Sequence, residues 1–279
     1  MITALDHFVL VCPEIESAVA DYSALLGLAP CWQSDADGVA AAVFAVGNTA
    51  IELMAPSGSG ATADKLREMT EDGARITTLV YRSDDLGADH HLMTRRGLEP
   101  GEIGDGSSTD KATDATRTWR RFRIPDAVMA GIKTFVLQPQ ADLPATTPAS
   151  GTATGLDHLV INTPNPERAV ANYGARLGLR FALDRTAEQW KTRFLFFRLG
   201  DLTLEIIHRL GEDHDPAASD SIWGLTWETD NLQTAHQRLT AAGRDVSEIR
   251  TGRKPGTSVF TVRDGTQGVP TLFIAHSKG

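Results

Sequence analysis

Apolar and polar positions alternate from Asp6 to Cys12. Phe8, Leu10 and Cys12 fall on one side and His7, Val9 and Val11 on the other, the period of a strand with two unlike faces. From Glu14 to Leu26 the apolar residues recur at helical spacing, and Gly27 is placed to end that helix. Val39 to Val46 and Ala50 to Ala55 are apolar runs of strand length, joined by Gly47-Asn48 as a tight hairpin turn. The predicted order is β-α-β-β-β.

The pattern then returns. Leu5-Asp6-His7 recurs as Leu156-Asp157-His158, and Leu26-Gly27-Leu28 as Leu177-Gly178-Leu179, with 14 of 24 positions identical between Leu5 and Leu28. A fainter copy links Ile76 to Tyr81 with Ile222 to Trp227, followed by Asp84-Asp85-Leu86 and Asp230-Asn231-Leu232. The chain reads as a tandem duplication of two halves, 1–140 and 155–279, joined by the Pro- and Thr-rich linker 141–154. Each half divides again, into segments 1–56 and 74–139, then 155–210 and 221–276. Glu99 to Arg117 is polar and without periodicity, and is expected to be a mobile flap or disordered.

Composition narrows the class. A chain of 279 residues with 41% hydrophobic and 23% charged residues buries a core without needing disulfides or metal. A net charge of −9 without a basic block argues against nucleic acid, and no apolar run reaches the ~20 residues of a membrane span. Two cysteines and a start lacking signal-peptide features lead to the expectation of a cytoplasmic protein, monomer or homodimer, with a small-molecule substrate.

Four residues stand out. His7 opens one strand and Glu52 lies inside another, and His158 and Glu205 repeat the pair in the second half. Taken singly, such a His reads as a hydrogen-bonded strand residue and such a Glu as solvent-facing. Yet a carboxylate between apolar strand neighbours is costly to desolvate unless paired or bound to a cation, and His with Glu on rigid strands is divalent-metal chemistry.

The Leu-Asp-His strand, the helix ending in Leu-Gly-Leu and the later strand carrying Glu resemble the vicinal oxygen chelate superfamily of glyoxalases, bleomycin-resistance proteins and extradiol dioxygenases. The resemblance spans nearly the whole chain. It implies an α+β fold of four βαβββ modules forming two curved mixed-sheet cups. It also implies a glyoxalase-like metalloenzyme of lyase, isomerase or epimerase type, whose divalent metal (Zn, Ni, Mn, Co or Fe(II)) chelates an oxygenated substrate. His7, Glu52, His158 and Glu205 match the metal positions, with Glu52 or Glu205 as general base. The alternatives are a non-catalytic ligand-binding protein of the bleomycin-resistance type, a ring-cleaving extradiol dioxygenase and a metal-free acid–base enzyme. The second and fourth modules carry Thr78 and Gly224 in place of the His, and Phe135 and Phe273 in place of the Glu. If modules pair in sequence order, each cup therefore has one His and one Glu. If the first pairs with the third, all four residues converge.

Weaker signals complete the expectations. Trp32 and Trp190 are placed to line the cups, and Arg253, with Arg250 and Lys254, sits in a basic loop suited to an anionic substrate. Arg120, Arg121 and Arg123 form a cationic strand face that reads as charges facing solvent or an acidic neighbour in preference to a substrate wall, and His90-His91 read as surface residues. Alternation sends His208 to the face opposite Glu205 and makes Cys12 a packed, inert thiol.

Overall fold

A computed structural model describes residues 1–277, in an α+β architecture of two eight-stranded mixed sheets. The first half runs β1 (Ile2–Val11), α1 (Ile15–Leu26), β2 (Trp32–Ala36), β3 (Val39–Val46), β4 (Thr49–Pro56), α2 (Ala61–Met69), β5 (Arg75–Ser83), α3 (Leu86–Arg95), β6 (Gly104–Thr109), β7 (Thr116–Ile124) and β8 (Lys133–Pro139). The second half continues with β9 (Ala153–Asn162), α4 (Pro166–Ala169) extended by a π-helical segment (Val170–Arg176), β10 (Arg180–Ala187), β11 (Thr192–Leu199) and β12 (Leu202–Arg209). It ends with β13 (Ser221–Thr229), α5 (Leu232–Ala241), β14 (Arg250–Thr251), β15 (Thr257–Val262) and β16 (Thr271–His276). Among the described residues no helix is long and apolar enough to cross a membrane.

Modules pair in sequence order. The strand order is β2-β3-β4-β1-β5-β8-β7-β6 in one sheet and β10-β11-β12-β9-β13-β16-β15-β14 in the other. At the centre of each, the first strands of two modules run antiparallel: His7 opposes Val80, and His158 opposes Thr226. The expected hairpin is present, with Val46 opposite Thr49, and α1 ends at Gly27 in the left-handed conformation a glycine adopts most easily.

Strand alternation sorts the side chains. Phe8, Leu10 and Cys12 enter one apolar core that runs through both halves, and Leu159, Ile161 and Trp227 reach it from the second sheet. Phe8 and Trp227 meet there with ring centroids 6.1 Å apart. The halves are also pinned at the β3–β4 turn, where the Asn48 side chain donates to the Leu156 carbonyl and accepts from its N–H. Elsewhere Arg244 pairs with Asp21 at 2.8 Å.

Two expectations change here. Glu99 to Arg117 is no flap, because it contains β6 and the start of β7, whose Gly104–Thr109 pairs with Thr116–Arg121. Gly and Ser at alternate positions hid the strand from a hydrophobicity pattern. Its edge approaches β2: the Trp32 Nε1 donates to Ser108 Oγ at 3.0 Å and the Gln33 N–H to Asp110 at 2.8 Å, so hydrogen bonds to side chains tie the two ends of the first sheet. The second change is one of register. Phe273 pairs with Trp227 on the core side, so the position equivalent to Glu205 is Leu272, opposite Thr226. Phe135, opposite Val80, does hold the position equivalent to Glu52.

Candidate functional site

Each Asp-His pair sits on a β-bulge. In β1 the pairing steps from Leu5–Tyr81 to His7–Val80, leaving Asp6 as the extra residue. In β9 it steps from Leu156–Trp227 to His158–Thr226, leaving Asp157 extra. A bulge turns two consecutive side chains toward one face. The carboxylate thus lies beside the next residue's ring: Asp6 is 2.7 Å from His7 Nδ1, and Asp157 is 2.6 Å from His158 Nδ1. That contact orients each ring so that Nε2 faces the cup.

Across the cup face, His7 Nε2 lies 3.4 Å from Glu52, and His158 Nε2 lies 3.7 Å from Glu205 and 2.9 Å from Thr226 Oγ1. The four residues form two separate pairs on two different sheets and do not converge.

The cups differ one residue further out. In the second, His276 Nε2 is 2.8 Å from Asp157 and 3.6 Å from Glu228. Ligand atoms of Asp157, Glu228 and His276 all fall within 4.8 Å of one another, and all three residues are partly accessible. In the first cup the register equivalent of Glu228 is Arg82, since Glu228 opposes Gly155 and Arg82 opposes Ala4. Arg82 stands 3.7 Å from Asp6 and also pairs with Asp142. Pro139 falls in line with His276. One cup thus gathers carboxylates and imidazoles, and the other neutralises its aspartate with a guanidinium.

Titration behaviour follows these neighbours. Burial favours a neutral His7, but the hydrogen bonds and charges of Asp6 and Glu52 outweigh it and raise the ring's pKa to about 9. Glu52 is lowered despite burial, by His7 and then by Arg117 and Arg121. The first pair is therefore an imidazolium with a carboxylate. Glu205 behaves in the opposite way: burial raises it, and His158 and Arg253 only partly compensate. Burial and the nearby Asp157 raise Glu228. Asp157, although desolvated, is held down to about 2 by His158 and His276.

Donors sharing one cation at about 2.0–2.2 Å sit roughly 3–4 Å apart. The second cup offers such a set in Asp157, Glu228 and His276, with His158 and Glu205 beside it, and this donor chemistry suits a hard or borderline divalent ion. The first cup offers two donors, one of them protonated at neutral pH, surrounded by guanidinium groups that oppose a dication.

A family model described as Glyoxalase-like domain matches residues 5–154, and one described as Glyoxalase/Bleomycin resistance protein/Dioxygenase superfamily matches residues 157–261. The chain belongs to the glyoxalase/bleomycin resistance/dioxygenase superfamily. No curated protein sequence matches it. Among solved structures, this superfamily member is similar to a mutant of 4-hydroxymandelate synthase from Streptomyces coelicolor, at TM-score 0.70 and 13% identity over 100% of this chain and 94% of that one. It is also similar to the Mn(II)-bound glyoxalase from Novosphingobium aromaticivorans, at TM-score 0.67 and 16% identity over 99% and 83%. A xylose isomerase-like TIM barrel/4-hydroxyphenylpyruvate dioxygenase fusion protein gives TM-score 0.66 and 15% identity over 100% of this chain and 50% of that one. These likenesses show the shared fold.

The remaining residues of this superfamily member divide between structure and the cups. Trp32 is buried against Val43 and Ala50. Trp190 is half exposed, meets Phe194 edge to face at 6.0 Å, and carries the Arg253 guanidinium 4.2 Å above its ring. His208 lies away from Glu205, with Nδ1 3.1 Å from the Thr163 carbonyl. Burial pushes the Cys12 thiol up to about 12. His91 is exposed as expected, and His90 is half-buried, packing edge-on against Phe122 and reaching the Gly101 carbonyl at 2.9 Å. Its repeat partner His236 does the same with Phe260 and Ser247, so this duplicated histidine is structural. Arg121 and Arg123 are exposed as expected, on the cup side of β7, 4.9 and 5.9 Å from the Phe135 ring, and Arg123 pairs with Asp126. A surface cavity of about 470 Å³, lined by Glu14, Val19, Gln33 and Lys111, includes neither His–Glu pair.

Asp157, Glu228 and His276 were not singled out by sequence. The signal was present in the fainter repeat, where Glu228 aligns with Arg82 and the two sign-opposed residues occupy one structural position.

Proposed function

We propose that this protein is a metal-dependent enzyme acting on a small oxygenated metabolite, with its chemistry in the second cup. The observation that carries the reading is the exchange of Arg82 for Glu228 at equivalent positions. It leaves Asp157, Glu228 and His276 as a three-donor set in one cup only. A divalent cation held by those three residues would supply Lewis-acid stabilisation to a substrate with adjacent oxygens.

The chain's own residues supply proton handling. Glu205 has a raised pKa and lies between the apolar Leu204 and Ile206, as a general base near its working range should. His158, fixed by Asp157, presents Nε2 to the same space 3.7 Å from Glu205 and is the partner through which the proton is passed or held. The apolar floor of Val160, Phe194 and Ile207 keeps the pair desolvated. Trp190 and Arg253 stand at the rim, where a flat or anionic substrate would be met. In this reading His7 and Glu52 act as an ion pair of the first cup.

The test is equilibrium dialysis against Mn²⁺. Wild type is expected to retain a single ion, and His276→Ala to lose it. Glu228→Ala is expected to lose it likewise. Failure of wild type to bind divalent metal at all would remove the reading.

A further inference from the structure

Strand β7 carries four residues of one face toward the first cup. Phe122 and Ile124 enter the core, so Arg117, Trp119, Arg121 and Arg123 alternate to the opposite side. The Arg117 guanidinium lies between two indoles, 5.5 Å from the Trp32 ring and 5.7 Å from the Trp119 ring. Both walls are fixed. Trp32 is hydrogen-bonded to Ser108, and Trp119 lies over Gly106, where a Cβ would stand 2.3 Å from its Nε1.

This cation lacks a counterion. Arg123 is bound by Asp126 at 2.7 Å and Arg82 by Asp6 and Asp142, whereas no carboxylate forms an ion pair with Arg117 or Arg121 among the described residues. The Arg117 Nε and the Trp119 Nε1 are buried and have no hydrogen-bond partner. Buried donors are ordinarily satisfied, and these two find no acceptor within the chain. The charge of Arg117 also reaches inward, contributing to the lowered pKa of Glu52.

We propose that the first cup is a recognition site for a planar aromatic carboxylate, seated on Arg117 between Trp32 and Trp119. A guanidinium presents parallel N–H donors to a carboxylate, and this one is flanked by two indoles. Arg121 over Phe135 adds a second positive charge beside an apolar ring. The site is independent of any cation in the second cup.

The experiment uses the full chain after chelator treatment, with tryptophan fluorescence and calorimetry read against benzoate, benzamide and inorganic phosphate. Benzoate is expected to bind saturably, with benzamide and phosphate each about tenfold weaker or worse, since one lacks the charge and the other the flat apolar body. Arg117→Gln is expected to weaken benzoate about tenfold or more. Arg117→Lys, which keeps the charge but loses the paired donors, should fall between, and Arg120→Gln on the opposite face should bind as wild type. Thermal melts establish that each variant is folded, and Arg117→Lys carries the test if Arg117→Gln does not fold. Absence of saturable benzoate binding, equal binding of benzamide or phosphate, or undiminished binding by the folded Arg117 variants would each overturn the proposal.

Discussion

Asp157 and His158 are neighbours in sequence whose side chains also touch: a carboxylate oxygen lies 2.6 Å from the ring's Nδ1. Consecutive residues on a regular strand point to opposite faces, so this contact exists only because β9 is bulged at Asp157. The other oxygen of Asp157 lies 2.8 Å from His276. One carboxylate thus orients the ring facing Glu205 and also joins the donor set. Asp157→Asn should weaken Mn²⁺ binding by about 10–100-fold, while Asp6→Asn leaves it unchanged. Calorimetric titration of the two variants distinguishes these outcomes, and equal effects would place the ion elsewhere.

The first cup should register in stability against pH. Folding raises the His7 pKa from 6.5 to about 9, so the folded protein holds a proton there that the unfolded chain releases. That contribution, on the order of 3 kcal/mol, is complete below about pH 6.5 and is lost as pH rises through 9. Asp6 and Glu52 are lowered, so their contribution is present above about pH 4 and is lost on acidification. Thermal melts from pH 5 to 10 should show a decline above pH 6.5 that His7→Gln flattens. A slope unchanged in His7→Gln would assign it to other groups.

A turn residue joins the two halves, beside the core and the Arg244–Asp21 ion pair. Asn48 makes both an accepted and a donated hydrogen bond with the Leu156 backbone, at 2.9 and 3.0 Å. Asn48→Ala leaves those backbone groups without that partner and should destabilise the chain by about 2 kcal/mol, read as a lowered Tm. Gly47→Ala should be worse. Its φ is +55°, and a Cβ would stand 1.9 Å from the Thr154 carbonyl oxygen. A melt of Gly47→Ala matching wild type would contradict this packing.

The modules, their hairpins and the buried face of each strand were legible because they rest on local periodicity and on a repeat strong enough to align. His7 with Glu52 and His158 with Glu205 were legible for the same reason, since each pair recurs at matched strand positions. Strand β6 was not, because Gly104, Gly106 and Ser107 give no apolar alternation and its pairing with β7 is tertiary. The slip from Phe273 to Leu272 depended on the register of β16 against β13, which sequence does not reveal. Asp157, Glu228 and His276 come from three strands and are assembled only by that register. Arg117 lay at the end of a segment read as a flap, and its indole walls come from β2 and from β7 itself.

The central claim is that Glu228, standing where the first cup has Arg82, makes the second cup a cation site. It is tested most directly by Mn²⁺ stoichiometry in wild type and in Glu228→Arg, which rebuilds the first cup's charge in the second. The expected result is a single ion in folded wild type and none in folded Glu228→Arg; equal retention by both proteins would contradict the account.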